Sequence, residues 1–215
     1  MSATVTLEGL DLAALLCSRV CHDVISPVGA IVNGLEVLEE DKDASMQEFA
    51  LDLIRKSARQ ASARLQFARL AFGAAGSAGA AIDLGDAEAV ARGMFQDDKV
   101  TLNWSAPRAL VPKNRAKLLL NLVVLATSTI PRGGVISVFV EGDDAEKASF
   151  RIVTKGTNAR IPAHAEELLA GSPESGSVDA HGIQTFYSGL IAREAGMGVR
   201  LSIDGDEVTI HAADA

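Results

Sequence analysis

Cys17, Cys21, His22 and Asp23 crowd into the stretch CSRVCHDVISPVGAIVNG, Cys17 to Gly34, and each of them is a side chain that can do chemistry. Three chemistries fit such residues: covalent haem attachment, a zinc site, or a histidine displayed as a nucleophile. Haem attachment uses C-x-x-C-H, whereas Cys17 to His22 reads C-x-x-x-C-H, one residue longer. A structural zinc asks for four ligands, and the other histidines, His164, His181 and His211, lie far along the chain with no second cysteine pair to join them. The cysteines then read as small hydrophobes packed on a helix. That leaves His22 either displayed for chemistry or in a structural or merely exposed role.

At helical spacing His22 shares a face with Ser18, Arg19, Ile25 and Ser26, followed by Gly29 and Asn33. Those residues are small and mostly polar, so they make a docking surface rather than a pocket. Asp23 is adjacent and able to orient the ring. Pro27 is a defect in the helix: it has no N–H for the Asp23 carbonyl one turn below, at a cost of roughly 3 kcal/mol unless something compensates.

The elements that position these residues are long. Leu10 to Glu40 and Ser45 to Phe72 are nearly free of Gly and Pro and are separated by the polar turn EEDKDAS, which predicts an antiparallel helical hairpin. In the first helix Ala14, Cys17, Cys21, Val24, Val28, Ile31, Leu35 and Leu38 alternate spacings of three and four, the seam of a packed bundle. In the second, Met46, Ala50, Leu53, Ser57, Ala61, Leu65, Ala68 and Phe72 make a looser stripe. Two such helices cannot cover both seams alone, so dimerisation into a four-helix bundle is expected. Folding about Lys42 and Asp43 brings the region of Ala63 level with His22, while Arg55, Arg59, Ser62, Gln66 and Arg69 recur as a stripe facing away from the seam.

A Gly, Ala and Ser-rich stretch from Phe72 to Asp86 separates this half, residues 1–75, from a second domain, residues 82–215. There Asp86 to Gln96, Lys113 to Thr129 and His181 to Gly196 read as helices. Val100 to Trp104, Val135 to Gly142, Ala148 to Lys155 and a closing hairpin around Gly205 read as strands. The fold class is therefore α+β, a helical hairpin followed by an α/β sandwich with mostly antiparallel strands.

The 215 residues are 48% apolar and only 4% aromatic, enough for aliphatic cores. A net charge of -8 argues against nonspecific binding to nucleic acid or anionic membranes and favours protein or small-molecule partners. The chain has no uninterrupted run of eighteen apolar residues, and its first residues, MSATVTLEGLDL, lack the regions of a signal peptide. A cytoplasmic protein without a structural disulfide is expected.

HDVISP resembles the H-box of sensor histidine kinases, His-Asp/Glu-Leu-Arg/Lys-Asn/Ser/Thr-Pro-Leu. His22, Asp23, Ser26 and Pro27 match, while Val24 and Val28 replace leucines and Ile25 replaces the usual base. In that family the histidine carries a phosphoryl group on a dimeric four-helix bundle, and the order of elements after residue 82 is similar to the family's ATP-binding (Bergerat) domain. The nucleotide boxes are degraded. Asn121 matches the first Asn of the N-box, but Leu125 stands where the magnesium-binding Asn belongs. The adenine-recognising Asp-x-Gly-x-Gly becomes Thr154-Lys155-Gly156-Thr157-Asn158, and of the glycine-rich phosphate loop only Gly182 is left. Triphosphate binding loses its main attractive groups without them.

This combination resembles the histidine phosphotransferases of bacterial phosphorelays, such as those of the alphaproteobacterial cell cycle and of sporulation. The resemblance implies transfer from a receiver-domain aspartate of a hybrid kinase to His22 and onward to a response regulator. It implies no bound cofactor and no nucleotide, with magnesium supplied by the partner's receiver. Asp23 would orient the ring, and Arg59, Ser62, Arg64 and Gln66 would sit beside the phosphohistidine. Ser18, Arg19, Ile25, Ser26, Gly29 and Asn33 would meet the receiver, with Ile25 making an apolar contact. A noncatalytic dimeric adaptor and an active kinase with unusual boxes are the rival readings.

Overall fold

The computed structural model describes residues 4–40, 43–73, 81–97, 99–142 and 144–215. Helices α1 (Gly9–Glu40) and α2 (Ala44–Ala71) form the expected hairpin. Lys42, at the expected turn, lies outside the described residues, but Asp43 marks the restart. Its carboxylate accepts from the Ser45 and Met46 amides at 2.9 and 3.3 Å and from the Ser45 hydroxyl. These donors hold the carboxyl below its ordinary range, the hydroxyl contributing most.

The two helices approach closely because the residues between them are small. A Cβ at Gly34 would stand 2.7 Å from Ile54 Cγ1 and 3.2 Å from the Ala50 carbonyl oxygen. Pro27, Ala50, Ser57 and Ala61 are buried along the same face. The eight-residue stripe expected of the first helix divides in two. Val24, Ile31 and Leu38 are partly covered, whereas Cys17, Cys21, Val28 and Leu35 are exposed, together with Ile25 and Val32. Both cysteines are exposed in the single chain, on the part of the stripe that the second helix does not cover. A single neighbouring helix covers a narrower arc than an alternating three-four stripe spans. One 18-residue window of α1 is even apolar enough, by length and composition alone, to cross a membrane.

Beyond the hairpin, β1 (Ala81–Asp83) pairs antiparallel with β3 (Leu110–Pro112). Helix α3 (Leu84–Phe95) starts at the Asp83 cap, whose carboxylate accepts from the Gly85 amide at 2.6 Å. The main sheet contains β2 (Val100–Ser105), β4 (Gly134–Glu141), β5 (Ser149–Lys155), β6 (Met197–Asp204) and β7 (Glu207–Asp214), in the order β2-β4-β5-β7-β6. Only β2 and β4 run parallel. The chain returns between them through α4 (Lys113–Thr129), the kind of crossover parallel neighbours need.

Alternation along the strands turns Ile136, Val138, Phe150, Ile152, Val208 and Ile210 toward α4 and toward α6 (Ile183–Glu194). The opposite sheet face stays open, with Arg151 lying 4.1 Å over the Phe139 ring. Helix α4 is buried almost throughout, which explains its apolar run from Leu118 to Ala126, broken by Asn121. The core does not stop at the hairpin. Phe67 and Ala71 of α2 belong to it, Phe67 edge-on to Phe95 at 5.0 Å, and Phe72 meets Tyr187 at 5.7 Å. Most of the Gly-rich stretch that follows, residues 74–80, lies outside the described residues.

Three elements were not expected from the sequence: β1, β3 and the short helix α5 (Ala165–Ala170). The strands have three residues each, too few to display a period of two. Helix α5 has six residues and is seated by contact, since a Cβ at Gly189 of α6 would strike the Leu169 carbonyl oxygen at 2.1 Å.

Candidate functional site

His22 is displayed from the middle of α1 with 81% of its side chain exposed. Asp23 lies beside it, half-buried, with its Oδ1 3.4 Å from His22 Nδ1. The other carboxylate oxygen accepts from Arg19 Nε at 3.2 Å, an i to i+4 pair on the same helix. Asp23 is thus held by Arg19 while it faces the ring. With Nδ1 turned to the carboxylate as a donor, Nε2 is the ring nitrogen left for solvent and a reacting partner.

The residues expected around His22 divide clearly. Ser18, Ile25, Ser26 and Asn33 are exposed, Ile25 at 68%, and Arg19 and Gly29 are partly covered. Nothing lies within 4 Å of the point where a Gly29 Cβ would stand, so the helix backbone there is open to an approaching surface. Of the four residues expected from α2, only Arg64 reaches this segment, donating from Nη1 to the Asp23 backbone carbonyl. Its guanidinium is engaged by the backbone carbonyl of the residue next to His22. Arg59, Ser62 and Gln66 are exposed, Gln66 Nε2 donating to Ser62 Oγ at 3.0 Å. At helical spacing they fall on the side of α2 away from buried Ala50, Ser57 and Ala61. Among the described residues of one chain, no hydrogen bond joins them to His22.

The positions where a kinase-like domain would hold nucleotide carry other arrangements. Asn121 is fully buried and committed: its Nδ2 donates to the Ala71 and Lys117 carbonyls at 3.1 and 2.8 Å, and its Oδ1 accepts from Gln184 Nε2 at 2.5 Å. Its amide therefore ties α4 to the end of α2. Leu125 is buried as well. Thr154, at the place of the adenine-recognising aspartate, is buried against Thr129, their hydroxyls 2.6 Å apart, and faces the Val208 carbonyl at 3.2 Å. At the start of α6 the amides of His181 and Gly182 donate to the Asp179 carboxylate at 3.0 and 2.7 Å. The Gly182 N–H is the main reason that carboxyl is held below its ordinary range. A negative group of the chain's own already occupies those two amides. The residues present do not fit a magnesium–nucleotide group.

Gln184 and Asp179 were not anticipated. Asp179 three residues before Gly182 has the spacing of an N-terminal cap and was legible in principle. Gln184 was not, since its amide gains meaning only from the fold.

A family model described as the histidine phosphotransferase C-terminal domain matches residues 84–207. The chain belongs to the histidine phosphotransferase family. It is 50% identical over 212 residues to the protein phosphotransferase ChpT of Brucella abortus (strain 2308), covering 99% of this chain and 100% of that protein. Among solved structures it is similar to a bacterial phosphotransferase determined at 1.7 Å, with a TM-score of 0.88 and 48% identity over 98% of this chain and 100% of the other. A more distant likeness is to the Acinetobacter baumannii histidine kinase AdeS, with a TM-score of 0.47 and 12% identity over 90% of this chain and 97% of that one. The family match spans the part of the chain from α3 to the start of β7. The full-length relatives extend the likeness through the hairpin that carries His22. Phosphotransfer is thus the activity that the family's description and the full-length relative's name carry.

Proposed function

We propose that His22 is the phosphoryl acceptor of a phosphorelay, charged by the aspartyl phosphate of a hybrid kinase's receiver domain and discharged to the aspartate of a response regulator, in cell-cycle control. The observation that carries this reading is the exposed imidazole with Nδ1 against Asp23 and Nε2 free. The Nε2 lone pair forms a P–N bond as the acyl-phosphate P–O bond breaks, its electrons leaving with the aspartate carboxylate. The Nδ1 proton stays in place, and its hydrogen bond to Asp23 offsets the positive charge that develops on the ring. Delivery to the second receiver reverses these steps. In-line placement and charge neutralisation dominate such transfers, and magnesium belongs to the receiver, so this chain needs no cofactor of its own.

Independence from ATP is supported by buried Asn121, by the Thr129–Thr154 pair and by the Asp179 carboxylate on the α6 amides. The deciding experiment mixes the purified chain with a phosphorylated receiver carrying labelled phosphate. Label passes to the chain within minutes and is acid-labile, whereas ATP and magnesium alone leave the chain unlabelled. Label from ATP alone would mark an active kinase, and no label from any receiver a noncatalytic adaptor.

The exposed stripe of Cys21, Val28, Val32 and Leu35, with spacings of seven, four and three, supports a homodimer in which two hairpins form a four-helix bundle and present two sites. Replacing Val28 and Leu35 by glutamate places two charges in that seam. The doubly substituted chain is expected to sediment as a monomer at concentrations where the natural chain is a dimer, with dissociation strengthened at least a hundredfold. An unchanged dimer would move the interface elsewhere. A cytoplasmic site of action accords with this reading, because the apolar surface of α1 is then covered by the second copy rather than by lipid.

A further inference from the structure

Pro27 has no N–H, so the Asp23 carbonyl one turn below it has no helix partner. The proline is buried on the side of α1 that packs on α2, where an unpaired carbonyl is costly. The structure supplies a donor from the other helix: Arg64 Nη1 reaches that carbonyl. Asp23 is therefore gripped twice, at its backbone by Arg64 and at its carboxylate by Arg19, while its second carboxylate oxygen faces His22 Nδ1.

Arg64 lines a small cavity of about 60 Å³ with Asp23 and Phe67 of the hairpin and with Met94, Phe95 and Gln184 from α3 and α6. The guanidinium that meets the Asp23 carbonyl therefore stands at the junction of the hairpin with the C-terminal part of the chain.

We infer that Arg64 is a positioning residue for phosphoryl transfer, acting through the carbonyl that Pro27 releases rather than on the phosphoryl group. The inference rests on the reading of His22 as the acceptor. Its physical content is specific: a backbone N–H at position 27 would take over the Asp23 carbonyl and make the Arg64 hydrogen bond redundant. Small misplacements of a reacting group are expensive in rate, so the loss appears in the transfer step within the complex and not in affinity for the receiver.

A double-mutant cycle with the full chain and a phosphorylated receiver tests this. In the natural background Arg64→Met slows transfer about tenfold with receiver affinity unchanged, and Arg64→Lys, which keeps a donor, slows it by about threefold or less. With Pro27→Ala, Arg64→Met changes the rate by less than about twofold. Equal losses in both backgrounds, or a loss of receiver affinity in place of rate, would overturn the inference. The comparison of Arg64→Lys with Arg64→Met decides without altering Pro27, since equal losses for both would also overturn it. If the natural chain takes no label at all, the reading of His22 fails and this inference with it; label on the natural chain with additive losses removes this inference alone.

Discussion

His22→Ala removes labelling of the chain by a phosphorylated receiver, a loss of about a thousandfold or more in rate, while thermal unfolding moves by no more than about 2 °C. Both halves follow from one observation. The imidazole is 81% exposed in mid-helix and buries little against the chain, so alanine, a better helix former, costs almost nothing in stability. The same substitution leaves no imidazole on that face, where the neighbours are Ser18, Ser26, Gly29 and Asn33. The measurement pairs an acid-lability assay of the labelled chain with a circular dichroism melt. Full labelling of the variant would relocate the acceptor, with His164, His181 and His211 the remaining histidines to test. A large fall in melting temperature would mean that His22 is held by contacts this structure does not give it.

The second large effect is on stability. Asn121→Leu, a change of similar volume, is expected to destabilise the protein by about 3 kcal/mol, or roughly 6 to 12 °C in melting temperature. Leucine leaves the Ala71 carbonyl without its Asn121 donor and strips Gln184 Nε2 of its acceptor, in a site where Gln184 Oε1 already has no partner among the described residues. Orphaned buried polar groups cost far more than the net value of a hydrogen bond. Because the Ala71 bond joins α4 to the end of α2, the loosened seat is also expected to slow transfer although His22 is untouched. Denaturant unfolding followed by far-ultraviolet circular dichroism gives the magnitude, and an unchanged midpoint would show that the amide clamp contributes nothing.

Much of this architecture was legible because its signals are long. The spans of α1 and α2 show in the near absence of breakers, α4 in the apolar run from Leu118 to Ala126 that follows Pro112, and the β6–β7 hairpin in alternation around Gly205. His22, Asp23 and Pro27 stood out because an imidazole, an acid and a helix defect fall within six residues of one another on a long helix. Elements of three to six residues, β1, β3 and α5, stayed hidden because no period fits in so short a span. The seam of α1 was read as one stripe, and the fold divides it, because spacing gives the angle of a residue on its helix but not the position of the helix that covers it.

By itself, then, the sequence determined that His22 and Asp23 stand side by side on a long helix carrying Pro27, and that Leu125 and Thr154 stand where the resembling kinases have polar nucleotide-box residues. These are statements about residue type and interval along one chain, which local stereochemistry translates directly. Tertiary structure decided what took the vacated roles. Arg64, distant in sequence, meets the Asp23 carbonyl. Asn121 joins α4 to α2, and Asp179 covers the amides of α6. Each is a pairing between groups brought together by packing, and the physical reason is that a buried donor or acceptor must find a partner wherever the fold places one.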